Sequence, residues 1–170
     1  MARTLLFDAS ELPPGGWDRL DWLLLRESHV HRCADGPTLD SAVAKLERLD
    51  YKVVRLAAGS WRDGSDMHAA LANALDFPGY YGRTLDALND VLWDVAGYAY
   101  GSDPTTTGTV LALDGFERFA AGEPGTADAF LDIFASRART ALVMGHPMLC
   151  LVESRTEFPP VGATPVLRWP

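Results

Sequence analysis

Cysteine is scarce in this chain: Cys33 and Cys150 are the only two in 170 residues. Two thiols cannot build the disulfide framework on which small secreted domains rely. Long apolar runs are missing as well. No segment approaches the roughly 20 consecutive apolar residues that a membrane-spanning helix needs. Positive charge is short too, with 15 Lys and Arg against 23 Asp and Glu, a formal net charge of −8. A surface that binds nucleic acid directly needs a basic footprint, so this balance argues against one. It permits attraction to a basic protein. The opening MARTLLFDASELPP has one Arg, a short apolar run, then Asp8 and Glu11. That is not a secretory pattern, and the expected location is the cytoplasm. G-x-S-x-G, a phosphate loop, a dinucleotide fingerprint, internal repeats and low-complexity tracts are all absent. No cofactor and no membrane contact are expected.

What is present suits one domain with an added lobe. Hydrophobic residues at 48% and charged residues at 22% describe an ordinary globular protein. Residues 4–7 read as a short strand, and Pro13, Pro14, Gly15 and Gly16 as a break. Residues 17–27 are ambiguous: Trp17, Leu20 and Leu24 have helical spacing, yet the WLLL run suits a strand. A helix is expected over 40–49, capped by Thr38 or Asp40. A strand follows at 51–57, then a helix at 65–76 capped by Ser65. The apolar run at 110–113 suits a strand covered on both faces. Residues 126–141 read as a helix with Ala127, Phe130, Leu131, Phe134 and Ala138 inward. A third strand lies at 148–152, and residues 164–169 suit an edge strand. Trp17, Trp22 and Trp61 are candidates to seal the N-terminal addition to the core. Strands separated by helices imply a parallel sheet with helices packed on it.

The segment at 77–95, FPGYYGRTLDALNDVLWDV, organises the rest. Pro78 stops the preceding helix. Gly79 and Gly82 suit a turn, and Thr84 stands where an N-cap belongs. Leu85, Leu88, Val91, Leu92 and Val95 cluster on one side of the following helix. Asp86, Asn89, Asp90 and Trp93 fall within roughly 100° on the other. Asp86 and Asp90 are an i,i+4 like-charge pair, which costs an isolated helix a few tenths of a kcal/mol. One reading is a solvated acidic face. The other is a docking surface for a cationic partner, favoured by the nearby Tyr80, Tyr81 and Trp93.

Tyr80, Tyr81, Gly82, Leu85, Asp86, Ala87, Leu88 and Asp90 spell Y-Y-G-x-x-L-D-A-L-x-D. This resembles the signature of the barstar family, the intracellular inhibitors of barnase-type ribonucleases. The resemblance runs from about residue 51 to 154, in the order strand, helix, motif, strand, helix, strand. It implies an α/β, barstar-like fold: a small parallel three-stranded core sheet packed with helices. Residues 1–50 would be an N-terminal extension packed on that core, and 155–170 a tail or edge strand. It also implies a non-enzymatic protein, monomeric when free, that occludes the active site of a secreted, basic ribonuclease. Tyr80 would face the enzyme, Asp90 would mimic a phosphate, and Asp86 would be a second acidic contact. Tyr81, Gly82, Thr84, Asn89 and Trp93 would complete the partner-binding set. The family's own complex is the usual worked example of electrostatic steering and of an aspartate hot spot.

Three positions depart from the family namesake, which has Asn at 84, Trp at 89, and a glutamate aligned with Ser136. Trp93, one turn after Asn89, is placed to replace the missing aromatic. The alternative is an immunity or regulatory protein of the same fold whose partner is not a ribonuclease.

Two other constellations compete. His29, His31 and Cys33 would share one face of a strand and are good zinc ligands, but a structural zinc takes four. His146 and Cys150 would help only if the fold brought them close. Asp86 and Asp90 could serve a hydrolase as acid and base, yet their helix face reads as convex, and active sites are usually concave. His68, with no Ser or Cys partner in view, reads as a surface residue.

Overall fold

The computed structural model describes residues 19–161 and 166–169. The strand expected at 4–7, the break at 13–16, Trp17, and the first two residues of the expected edge strand lie outside them. The chain runs α1 (Leu20–Glu27), β1 (Val30–Cys33), α2 (Gly36–Glu47), β2 (Tyr51–Leu56), a 3-10 turn (Ala58–Ser60), α3 (Gly64–Ala74) and α4 (Leu85–Ala96). It continues with β3 (Gly108–Leu113), α5 (Phe116–Gly122), α6 (Pro124–Val143), β4 (Met148–Glu153) and β5 (Leu167–Arg168).

The described strands form one five-stranded sheet in the order β2-β3-β4-β1-β5, and every pairing is parallel. The three expected core strands are β2, β3 and β4, and two more join them. β1 lies inside the sheet, between β4 and β5, so the N-terminal segment contributes an inner strand. The C-terminal strand takes the edge position beyond it.

Each position of β3 is buried, as its unbroken apolar run requires. Gly108 opens that strand where a side chain cannot fit. A Cβ there would come within 2.2 Å of the Pro147 carbonyl oxygen. Two helical layers cover the sheet. On one face α3, α4, α5 and α6 pack Met67, Leu71, Leu88, Leu92, Phe116, Phe130 and Phe134 onto Leu111, Leu113, Cys150 and Val152. On the other, α1 and α2 pack Leu24, Leu25, Leu39, Val43 and Leu46 onto Val110, Ala112, Leu149 and Leu151. Each of these large side chains contributes about 1.5–3 kcal/mol when fully buried.

The ambiguous segment at 17–27 resolves as a helix from Leu20. A buried polar cluster pins it. Asp21 is fully buried, paired at 2.7 Å with Arg19 and accepting a 2.9 Å hydrogen bond from the Tyr51 hydroxyl at the start of β2. Burial and the Asp21 carboxylate push the Tyr51 phenol well above its ordinary pKa. Two helix caps differ from expectation. Asp35 caps α2, accepting from the Thr38 amide, and Asp63 caps α3, accepting from Ser65 and Asp66. In both cases an aspartate two to five residues upstream reaches the free amides first. Trp61 is also placed differently: it packs edge-on against Phe119 in the α3–α6 layer. The short α5 starts after Gly115, whose φ is 63°, a left-handed value that glycine adopts without a Cβ penalty.

Histidine is used inside. His29 and His31 hydrogen-bond to the carbonyls of Met148 and Ser28 at 3.2 and 3.1 Å. Cys33 belongs to the α1–α2 layer and Cys150 to the other. Among the described residues, no group of three or more His, Cys, Asp or Glu is gathered for a metal.

Tyr51→Phe removes the only described hydrogen bond to Asp21 from outside its own segment. It should cost about 1–3 kcal/mol in urea unfolding, whereas Phe at an uncommitted site would be nearly neutral. Burial lowers the pKa of His29, His31 and His68, that of His31 to about 4. Their neutral forms stabilise the fold fully above the unfolded value of 6.5, and that stability is lost as pH falls through the folded values. Unfolding free energy should therefore drop by about a few kcal/mol between pH 6.5 and 4. A flat profile across that window would contradict this account.

Candidate functional site

The site begins where α3 stops. After Ala74 the chain turns at Asp76, which has φ of 53°, and the Phe77 amide folds back to the Ala72 carbonyl. Pro78 then accepts from the Tyr81 amide at 2.9 Å, closing a turn that carries Tyr80 and Tyr81. Their fates differ. Tyr80 is 80% exposed. Tyr81 is buried, its ring 4.9 Å edge-on from Phe77 and its hydroxyl hydrogen-bonded to His68 Nδ1. The ring of Tyr81 is therefore unavailable for a direct contact and acts from inside, fixing the loop. His68 is likewise interior, contrary to the surface position expected for it. Burial, reinforced by the Arg83 charge, lowers its pKa.

Arg83 also has a left-handed backbone, at φ 51°. Gly79 and Gly82 do not hold left-handed conformations, and a Cβ on Gly82 would meet only the Ala87 Cβ at 3.7 Å. The turn thus depends on Asp76 and Arg83 for its left-handed positions. Thr84 performs the expected cap, its hydroxyl accepting from the Ala87 amide at 3.1 Å. Asp86 lies in the first turn, where the positive helix end favours it.

On α4 the sequence periodicity translates directly into two faces. Leu88, Val91, Leu92, Val95 and Ala96 are buried in the α3–α6 layer. Asp86 and Asp90 are exposed and Asn89 is half-buried, while Trp93 is 47% exposed. Among the described residues neither Asp86 nor Asp90 has an ion-pair partner. Asp94, just off this face, accepts from the Tyr100 hydroxyl at 2.9 Å. The structure thus brings Tyr80, Asp86, Asp90 and Trp93 to the surface on the loop and one helix face, with Gly82 and Thr84 exposed between them. The described part of the N-terminal segment packs on the opposite side of the sheet and leaves α4 uncovered.

Sequence reasoning missed one participant. Arg137, on α6, lays its guanidinium carbon 5.3 Å from the centroid of the Trp93 ring, within cation–π range. The available signal was its place beside Ser136 in α6, a cation between the inward Phe134 and Ala138. Chemically, the face offers two exposed carboxylates without ion-pair partners among the described residues, two exposed aromatics and one stacked cation. A cavity of about 280 Å³ lies elsewhere, between α6 and residues 159–161. Asp86 and Asp90 are exposed on the helix surface, and neither lines that cavity.

The family model described as Barstar (barnase inhibitor) matches residues 51–153, from the start of β2 to the end of β4 and including the whole of α4. No curated protein matches the chain.

A left-handed conformation costs a residue with a Cβ about 1–2 kcal/mol, a cost glycine avoids. Arg83→Gly should therefore leave stability unchanged or raise it by up to about 1 kcal/mol in chemical unfolding, while Arg83→Ala keeps the strain. A clear loss of stability in the glycine variant would show that the Arg83 side chain itself holds the loop.

Proposed function

Since this chain belongs to the barstar family, with the family match spanning residues 51–153, we propose that it is a non-enzymatic inhibitor that occludes the active site of a barnase-type ribonuclease. One observation carries this reading. Asp86 and Asp90 stand exposed and unneutralised on α4, flanked by Tyr80 and Trp93, while the other side of the same helix is locked into the core. Asp90 meets the cationic groups that otherwise hold RNA phosphate, and Asp86 adds a second acidic contact. Tyr80 and Trp93 pack against the rim of the cleft, as aromatic anchors do in protein interfaces. Tyr81, packed on Phe77 and hydrogen-bonded to His68, holds the loop that carries Tyr80. Because the carboxylates are carried on a packed helix, little ordering accompanies binding.

The net charge of −8 extends this attraction to long range. Association with a basic enzyme is fast at low salt and slows as salt screens it. The protein acts in the cytoplasm as a monomer and makes no direct contact with nucleic acid or membrane. A second reading has a specific observation behind it. Asn89 offers no aromatic surface, and Arg137 places a cation on the same face. These favour an immunity or regulatory protein of this fold with a partner other than a ribonuclease.

Titration into a barnase-type ribonuclease assay separates the two. Stoichiometric inhibition is expected for the wild type. Asp90→Ala should weaken it by roughly 2–5 kcal/mol, or about 30- to 5000-fold, mainly through faster dissociation, because the enzyme's buried cations lose their partner. Absence of inhibition at micromolar concentration would favour the second reading.

A further inference from the structure

On the same side of the molecule as the two carboxylates of α4 stands a cation, Arg137, with no ion-pair partner among the described residues. Arg137 is brought to the edge of this face by α6, which packs alongside α4 in the same layer. Its guanidinium lies over the half-exposed Trp93 ring, and its Nε is enclosed without a hydrogen-bond partner. Among the described residues no carboxylate lies within ion-pair distance of it. A guanidinium has five N–H donors in a fixed planar fork. Stacking on Trp93 restrains that fork in advance, so less freedom is lost when it binds. Trp93 follows Asp90 by three residues, about 4.5 Å along the helix axis. Along α4 the surface therefore runs negative at Asp86, negative at Asp90, then positive over Trp93.

We infer that Arg137 is a specificity-determining residue: it receives a carboxylate from the rim of the partner's otherwise basic cleft. This rests on the proposed reading of the α4 face as an enzyme-occluding surface. Arg137 forms bidentate hydrogen bonds with an Asp or Glu opposite it. Against a cleft that is basic throughout, it is a like-charge element that rejects the wrong enzyme.

The test uses a catalytically inactive barnase-type ribonuclease, displayed with its active-site rim randomised and selected for binding to the full-length protein. Wild type, Arg137→Glu and Arg137→Gln serve as baits, with Asp90→Ala as the control for use of the same face. Thermal melts establish that each bait is folded. Wild type should enrich Asp or Glu at a rim position, Arg137→Glu should enrich Lys or Arg there, and Arg137→Gln should show neither preference. The selected acidic variants should bind wild type at least tenfold more tightly than they bind Arg137→Glu. Binders recovered with the same rim charges from all three baits would overturn the role of Arg137 and leave the inhibitor reading standing. No binders from any bait would overturn the inhibitor reading, and this inference with it.

Discussion

A parallel strand buried on both sides needs a helical layer on each face, and β3 is such a strand from Gly108 to Leu113. Val110 and Ala112 point to one layer, Leu111 and Leu113 to the other. The chain between β2 and β4 supplies α3, α4, α5 and α6, all on one side. Among the described residues α1 and α2, from the N-terminal fifty residues, cover the second, joined by Trp169 after β5. Without them Val110, Ala112, Leu149 and Leu151 would face water. That explains why a buried carboxylate is tolerated at Asp21: with Arg19 and Tyr51 it holds the second layer in register with β2. A paired, hydrogen-bonded buried charge adds little net stability, but breaking the pair is costly, so such a cluster favours one arrangement over its neighbours.

The division of labour between layers has a functional side. The α3–α6 layer carries the candidate docking face, and the α1–α2 layer works from the opposite side of the sheet. The acidic helix can therefore be rigid and open at once. Its apolar side is anchored by Leu88, Leu92 and Val95, its start is fixed by Thr84, and the loop before it is held by Tyr81 on Phe77 and His68. The like-charge cost of placing Asp86 and Asp90 a turn apart is borne by that anchoring, which contributes several times more than the few tenths of a kcal/mol at stake.

Much of this was legible in the sequence, and the rest was hidden for identifiable reasons. The two faces of α4 and the cap at Thr84 followed from periodicity and a well-placed hydroxyl. The adjacent strands β2, β3 and β4 followed from short apolar or β-branched runs between helices. The inner position of β1 was not readable, because its four residues include His31 and Arg32 and carry no apolar signature. Nor was α5, whose seven residues are too few to establish a period. Caps at Asp35 and Asp63 were displaced from the expected residues because several Asp, Ser and Thr compete within one turn. Gly79 and Gly82 suggested where the chain turns, yet the left-handed positions are Asp76, just before the motif, and Arg83 within it. Tyr80 and Tyr81 are neighbours of the same type, and only packing against Phe77 and His68 distinguishes the inner from the outer. The contact of Arg137 with Trp93 joins two helices distant in sequence, which no local pattern encodes.

The pairing of β1 sets an order of assembly. Val30 aligns with Cys150, so β1 has no strand neighbour until the chain has continued more than a hundred residues to β4 and β5. Closing so long a loop is slow relative to local folding. Local contacts favour α4 and its layer forming around β2 and β3 before the β1–β4 loop closes, which leaves the apolar sides of α1, β1 and α2 uncovered until then. Completion comes when β4 arrives and admits β1, after which β5 can close the edge. Before that, the segment from α1 to α2 is the region most exposed to unwanted association or to a chaperone.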